Sequence, residues 1–180
     1  MKSVLSGQIS LFSYKSRDMS AFRAASLDRV TAIITTAVGL LLIAVAASYF
    51  LRPATDNNRW LSALLPSLSI MLFAISVLLK AKSYNITSHN LEVKQMVGAT
   101  IKIPLDQIIS VQSTTQRGAI RTFGIGGFFG YVGRFNGNER WFVTNRNKMV
   151  KIETTKSVYV VSPADRESFI QQLKQKASLK

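Results

Sequence analysis

Val30-Thr-Ala-Ile-Ile-Thr-Thr-Ala-Val-Gly-Leu-Leu-Leu-Ile-Ala-Val-Ala-Ala-Ser-Tyr-Phe-Leu51 contains no charged side chain. Eight residues later Trp60-Leu-Ser-Ala-Leu-Leu-Pro-Ser-Leu-Ser-Ile-Met-Leu-Phe-Ala-Ile-Ser-Val-Leu-Leu79 repeats the pattern. The runs hold 22 and 20 residues. At about 1.5 Å of helix rise per residue each spans roughly 30 Å, the thickness of a bilayer's hydrocarbon core. The short connection, 52–59, begins and ends with arginine. The pattern predicts a transmembrane hairpin, with helices over 30–51 and 60–79 and an external loop between them. Small residues (Ala37, Gly39, Ala44 and Ala46 in the first helix, Ser67, Ser69 and Ala74 in the second) suit close packing of the two. Pro66 is expected to bend the second helix.

Charge sets the orientation of that hairpin. The net charge is +14, and positive residues flanking membrane helices favour the cytoplasmic side. Lys15, Arg17, Arg23, Arg29, Lys80, Lys82 and Lys94 lie outside the hairpin, against Arg52 and Arg59 within its loop. Both termini are therefore expected in the cytoplasm of a cell bounded by this membrane. Ala44-Val45-Ala46 offers a small-residue cleavage pattern, but the preceding region and the apolar core are too long for a secretory signal. Residues 1–29 read as a cytoplasmic leader. Within it Tyr14 to Leu27 spaces Met19, Phe22 and Ala25 as a short basic helix on lipid headgroups, the alternative being an unstructured segment. Ser26 is read as the cap of the first membrane helix.

Beyond Lys82 the apolar period changes from helical to two-residue alternation. Tyr84-Asn-Ile-Thr87, Leu91-Glu-Val-Lys-Gln-Met96, Ile101-Lys-Ile103, 107–113, 140–144, 150–154 and 157–161 read as strands separated by turn-forming residues. Ser162-Pro163-Ala-Asp165 then opens a helix with Phe169, Ile170, Leu173 and Ala177 on one face, Ser162 being read as its cap. The fold class is thus α+β. A two-helix membrane hairpin precedes a domain over 83–178, made of about seven antiparallel strands in a barrel or sandwich and closed by a C-terminal helix.

Strands first and one closing helix resemble the pleckstrin-homology superfold. Tyr84-Asn-Ile-Thr87 with Leu91-Glu-Val, Ile103-Pro-Leu-Asp106-Gln-Ile108, and Arg121-Thr-Phe-Gly-Ile-Gly-Gly-Phe-Phe-Gly-Tyr-Val-Gly133 are similar to membrane-anchored bacterial PH-like domains. Val143-Thr144, Val161-Ser-Pro163 and Phe169-Ile170 extend the resemblance, which covers 83–175. It implies a fold and a membrane setting. Relatives that bind phosphoinositides carry Lys and Arg on the first two strands and their loop. Here that loop is Ser88-His89-Asn90, which argues against recognition of that type.

Composition removes most enzyme classes. There is no cysteine and one histidine, His89, and the nine carboxylates form no metal-binding or paired-acid pattern. No catalytic residue, metal or cofactor is expected. Gly124-Ile-Gly-Gly-Phe-Phe-Gly130 lacks the third glycine of a dinucleotide fingerprint and the Gly-Lys-Ser/Thr of a phosphate loop. Its glycines instead predict a bent strand or hairpin with Phe128, Phe129, Tyr131 and Phe135 partly packed. Basic residues surround it, and Arg117, Arg121, Phe128, Phe129, Tyr131, Arg134 and Arg140 are the expected binding residues for a protein partner or anionic lipid headgroups. No nucleic-acid recognition module is present. The expected function is a non-enzymatic binding module tethered to the cytoplasmic membrane. The alternative is an accessory subunit that joins a larger membrane complex through its hairpin.

Overall fold

The computed structural model describes residues 19–51, 59–115, 120–127 and 129–179. The leader before Met19, most of the loop between the apolar runs, Arg117 and Phe128 lie outside the described residues. Two helices, α1 (Arg29–Leu51) and α2 (Arg59–Leu79), follow a short strand, β1 (Ser20–Arg23). The chain then re-enters the sheet that β1 belongs to. β2 (Ala81–Ile86), β3 (Asn90–Gln95) and β4 (Ile101–Pro104) complete an antiparallel sheet in the order β1-β2-β3-β4.

That first strand corrects the expected leader. Ser20 to Arg23 are extended rather than helical, and they pair with Ile86 to Ser83 of β2. Phe22 packs edge-on to Phe169 at 5.2 Å, and Ala25 is buried. The domain therefore begins before the apolar helices, not after them.

A second sheet contains β5 (Ile108–Thr114), β6 (Arg121–Gly126), β7 (Tyr131–Phe135), β8 (Glu139–Val143), β9 (Met149–Thr154) and β10 (Val158–Val161), in the order β5-β9-β10-β8-β7-β6. In place of about seven antiparallel strands, the described residues form nine after the helices, and β10 runs parallel to β8. The undercount has a local cause. The glycine-rich run supplies both uncounted strands, β6 and β7, whereas 157–161 is β10, which pairs antiparallel with β9 as well as parallel with β8.

Alternating burial explains why these strands face as they do. Tyr84, Ile86, Leu91, Val93, Ile103, Val111, Ile152 and Val161 join one core, closed by Phe169 and Leu173 of α3 (Arg166–Lys176). Asp165, not Ser162, caps α3 by accepting the Ser168 N–H at 3.1 Å. A second cluster of Phe135, Trp141, Val143, Met149 and Val160 occupies the other face of the larger sheet. There Phe135 stacks on Trp141 at 4.7 Å.

The helices present apolar side chains outward. Val30, Ile33, Leu40, Leu41 and Ile43 of α1 and Leu64, Met71 and Leu72 of α2 are all exposed. Among the described residues, α1 is the one helix long and apolar enough to cross a membrane, over Arg29–Ser48, with only 11% of that window buried. A core helix of a water-soluble protein would be mostly covered. In α2 the apolar stretch is shorter, Pro66–Leu79, and the helix continues through Pro66.

Candidate binding site at the sheet edge and the helix junction

Strand register brings two of the expected binding residues side by side. Arg134 of β7 lies directly opposite Arg140 of β8, with Phe123 of β6 on one side and Tyr159 of β10 on the other. Paired residues share a face, so Phe123, Arg134, Arg140 and Tyr159 form one row across four strands. The same face carries Val132, Phe142 and Val161 into the core; Tyr159 packs partly against that core, and the row runs outward from it to exposed Arg134 and Phe123. The Arg140 guanidinium stands 5.9 Å from the Tyr159 ring centre, a favourable cation–π distance. Arg134 is exposed. Directly opposed like charges destabilise an antiparallel pair, and an anion bound between them would relieve that cost. Phe123 is 77% exposed and Ile120, just before the strand, 80%. These are the most exposed large apolar side chains among the described residues, and β6 is the outermost strand of its sheet.

The glycines give β6 and β7 a close approach that side chains would forbid. Gly124 and Gly133 are register partners with φ of +119° and +142°. A Cβ on either would lie 2.3 Å from a backbone oxygen of the facing strand. The hairpin is closed by the Gly127 N–H donating to Gly130 C=O at 3.1 Å. At its tip Phe129 adopts a left-handed φ of 52°. That tip is seated on the helix pair. The Phe129 N–H donates to Thr35 Oγ1 of α1 at 3.2 Å, and its ring meets Phe73 of α2 at 5.2 Å. Lys80 Nζ lies 5.8 Å from the same ring.

A hydrogen-bond network fixes the start of α1 against the domain. Asp28, not Ser26, is the helix cap: its Oδ1 accepts the Thr31 N–H at 2.8 Å and its Oδ2 accepts the Arg146 N–H at 3.2 Å. Thr144 Oγ1 donates to Ala25 C=O at 2.6 Å. Ser162 Oγ accepts the N–H groups of Thr144 and Asn145 at 2.8 and 3.2 Å. Tyr84 supports the same point, its hydroxyl donating to Phe142 C=O at 2.6 Å and accepting the Ser162 N–H at 3.2 Å. Burial pushes the Tyr84 hydroxyl up to about 12, against a smaller opposing effect of its bonds with Ser162.

Not every basic residue near the hairpin is a free cation. Lys151 lies 3.1 Å from Glu153 and 3.8 Å from Glu139, and Lys148 Nζ donates to Ala164 C=O. Hydrogen bonding from Ser110 and then from Lys151 holds the Glu153 carboxyl below its ordinary value. Arg146 lies 5.4 Å over the ring of Tyr131, which also packs against Phe135 and Trp141. Of the expected binding residues, Arg134 and Arg140 thus share the row, Phe129 meets the helix pair, Tyr131 packs on the second hydrophobic cluster, and Arg121 stands in β6 beside Phe135. Phe123, Arg146 and Asp28 have greater structural prominence than the sequence signalled. An exposed aromatic at a strand's alternating position, and an acid immediately before an apolar helix, were the available cues. Among the described residues no cluster of three or more His, Asp or Glu side chains could hold a metal.

A family model described as a bacterial PH domain matches residues 82–177. No curated protein and no solved structure matches the chain.

Proposed function

The chain belongs to the bacterial PH domain family, and from that premise we propose that it is a membrane-anchored, non-enzymatic binding module. α1 and α2 cross the cytoplasmic membrane as a hairpin and hold the domain, with both termini, on the cytoplasmic face. The observation that carries the anchoring is the pairing of β1 with β2. These strands flank the helix pair and belong to one sheet. A chain that leaves the domain through α1 and crosses the bilayer must therefore cross back through α2. The same pairing argues against α1 as a removable signal, because cleavage would strip a strand from the folded sheet.

The binding surface is the row Phe123, Arg134, Arg140 on the outer edge of the larger sheet. Its chemistry suits an acidic, partly apolar segment of a protein partner laid along β6, where main-chain bonds supply affinity and the arginines supply selectivity. Crosslinking in intact cells followed by mild detergent purification tests this. Wild-type protein is expected to retain a partner that Arg134→Glu with Arg140→Glu loses. Equal recovery from both would remove the row from the account. A membrane protein retained by both, and lost on changing Gly39 to a bulky residue, would favour an accessory subunit held through the helices. An added Cβ at Gly39 would make ordinary contact with Phe73 at 3.5 Å, so a side chain larger than alanine is needed there to press on α2.

A further inference from the structure

We propose that the cleft where α1 leaves the domain binds the phosphodiester headgroup of an anionic phospholipid. This rests on α1 spanning the bilayer. The cleft has a volume of about 590 Å³ and lies between the start of α1 and the turn that follows β8. Arg29 stands on one wall and Arg146 on the other. The guanidinium is the side chain best matched to a phosphate, offering a planar fork of N–H donors.

Arg146 is placed for this from two directions. Its backbone N–H is bound to Asp28, and its guanidinium is stacked on Tyr131. Asn147, exposed on the same wall, adds a carboxamide. Among the described residues Asp28 is the one acid lining the cleft, but it is buried, one oxygen accepting the Thr31 N–H of the helix start and the other the Arg146 N–H. Its charge is thereby offset by the helix N-terminus rather than presented to a ligand.

The cleft also has an apolar side at the right level. Val30, 61% exposed, lines it and begins the charge-free run of α1. A headgroup held between the two arginines would place its acyl chains along Val30 and the exposed Ile33 and Ile34 of the same helix. The wall formed by 27–30 lies outside the residues matched by the family model, so the cleft arises from how this chain attaches its helix.

The test uses full-length protein reconstituted in phosphatidylcholine nanodiscs with a minor fraction of phosphatidylglycerol, re-extracted into mild detergent. Native mass spectrometry counts the phosphatidylglycerol retained. Arg29→Gln with Arg146→Gln is expected to lower retention about tenfold, as loss of charge-assisted hydrogen bonds implies. Lys102→Gln with Lys156→Gln, which removes equal charge at exposed distant sites, is expected to retain it. Asn147→Asp places a repelling acid on the wall while leaving the Asp28 contacts in place, and is expected to lower retention by several-fold. It serves if the double arginine variant does not fold. Unchanged retention in a folded cleft variant, or an equal fall in the lysine control, would overturn the proposal. Displacement of the lipid by excess inorganic phosphate would reassign the cleft to a free anion and overturn it as well. Urea extraction of the parent membranes reads anchoring separately, so lipid lost from an extraction-resistant variant is a failure of the cleft alone.

Discussion

The domain holds the two ends of its helix pair by different means. At the entry to α1 the chain is fastened by side chains from distant strands. Thr144 binds Ala25 C=O, Asn145 Nδ2 donates to Ser26 C=O at 2.9 Å, and Asp28 ties the first turn to Arg146. At the exit from α2 the fastening is mostly backbone. Met96 and Val97 N–H groups donate to Lys80 and Leu78 C=O at 3.1 and 3.0 Å. One side chain assists, Gln95 Nε2 donating to Leu79 C=O at 2.7 Å. Every residue but proline carries the backbone groups, so the exit tolerates substitution. The entry has backbone bonds too, Ala25 N–H donating to Ser162 C=O at 2.8 Å, but it adds two hydroxyls, a carboxamide and a carboxylate, so single side-chain changes weaken it more.

The sharpest way to break this contrast is Ser162→Ala. It leaves the Thr144 and Asn145 N–H groups without their acceptor, costing about 2–4 kcal/mol in unfolding measurements. Tyr84→Phe reads the same region through pH. The native hydroxyl ionises near 12 rather than its ordinary 10. The unfolded state therefore loses its proton first, and the stability tied to the neutral hydroxyl is complete below pH 10 and lost between 10 and 12. Denaturation at increasing pH should show wild type losing roughly 2–3 kcal/mol in that window that Tyr84→Phe does not lose. Asp28→Ala removes the α1 cap and should cost about 1–2 kcal/mol, read as a lower midpoint of thermal unfolding in detergent. Gln95→Ala, at the exit, should cost about 1 kcal/mol or less, because the backbone bonds remain. If Gln95→Ala proved more harmful than Asp28→Ala, the contrast between the junctions would be reversed.

Much of the architecture was legible where periodicity was strong. Two charge-free runs, alternating strands from Tyr84 onward and the Phe169–Leu173 face of α3 all follow from spacing. The glycine-rich run reads as backbone geometry, and Gly124 and Gly133 approach face to face. β1 was not legible: four residues, half of them polar, fit a basic helix as well, and their partner lies across both apolar helices. Serine fits a cap locally at positions 26 and 162, yet Asp28 and Asp165 stand within three residues of them. Tertiary bonds decided between them, giving Ser162 to Thr144 and Asn145 instead. The row of Phe123, Arg134, Arg140 and Tyr159 depends on register, including a shift between Arg121 and Phe123 and the parallel pairing of β8 with β10. Neither is visible in side-chain alternation alone.

In the proposed topology the domain sends two helices through the membrane and keeps both their ends. The chain has no cysteine, so single cysteines report without background. One is introduced at Asn57, in the connection between the helices, and one at Asn138, in the exposed turn after β7. Spheroplasts are then treated with a membrane-impermeant maleimide. The account predicts labelling of the cysteine at position 57 in intact spheroplasts, and of that at 138 only after lysis. Labelling of both, or of neither, in intact spheroplasts would contradict it.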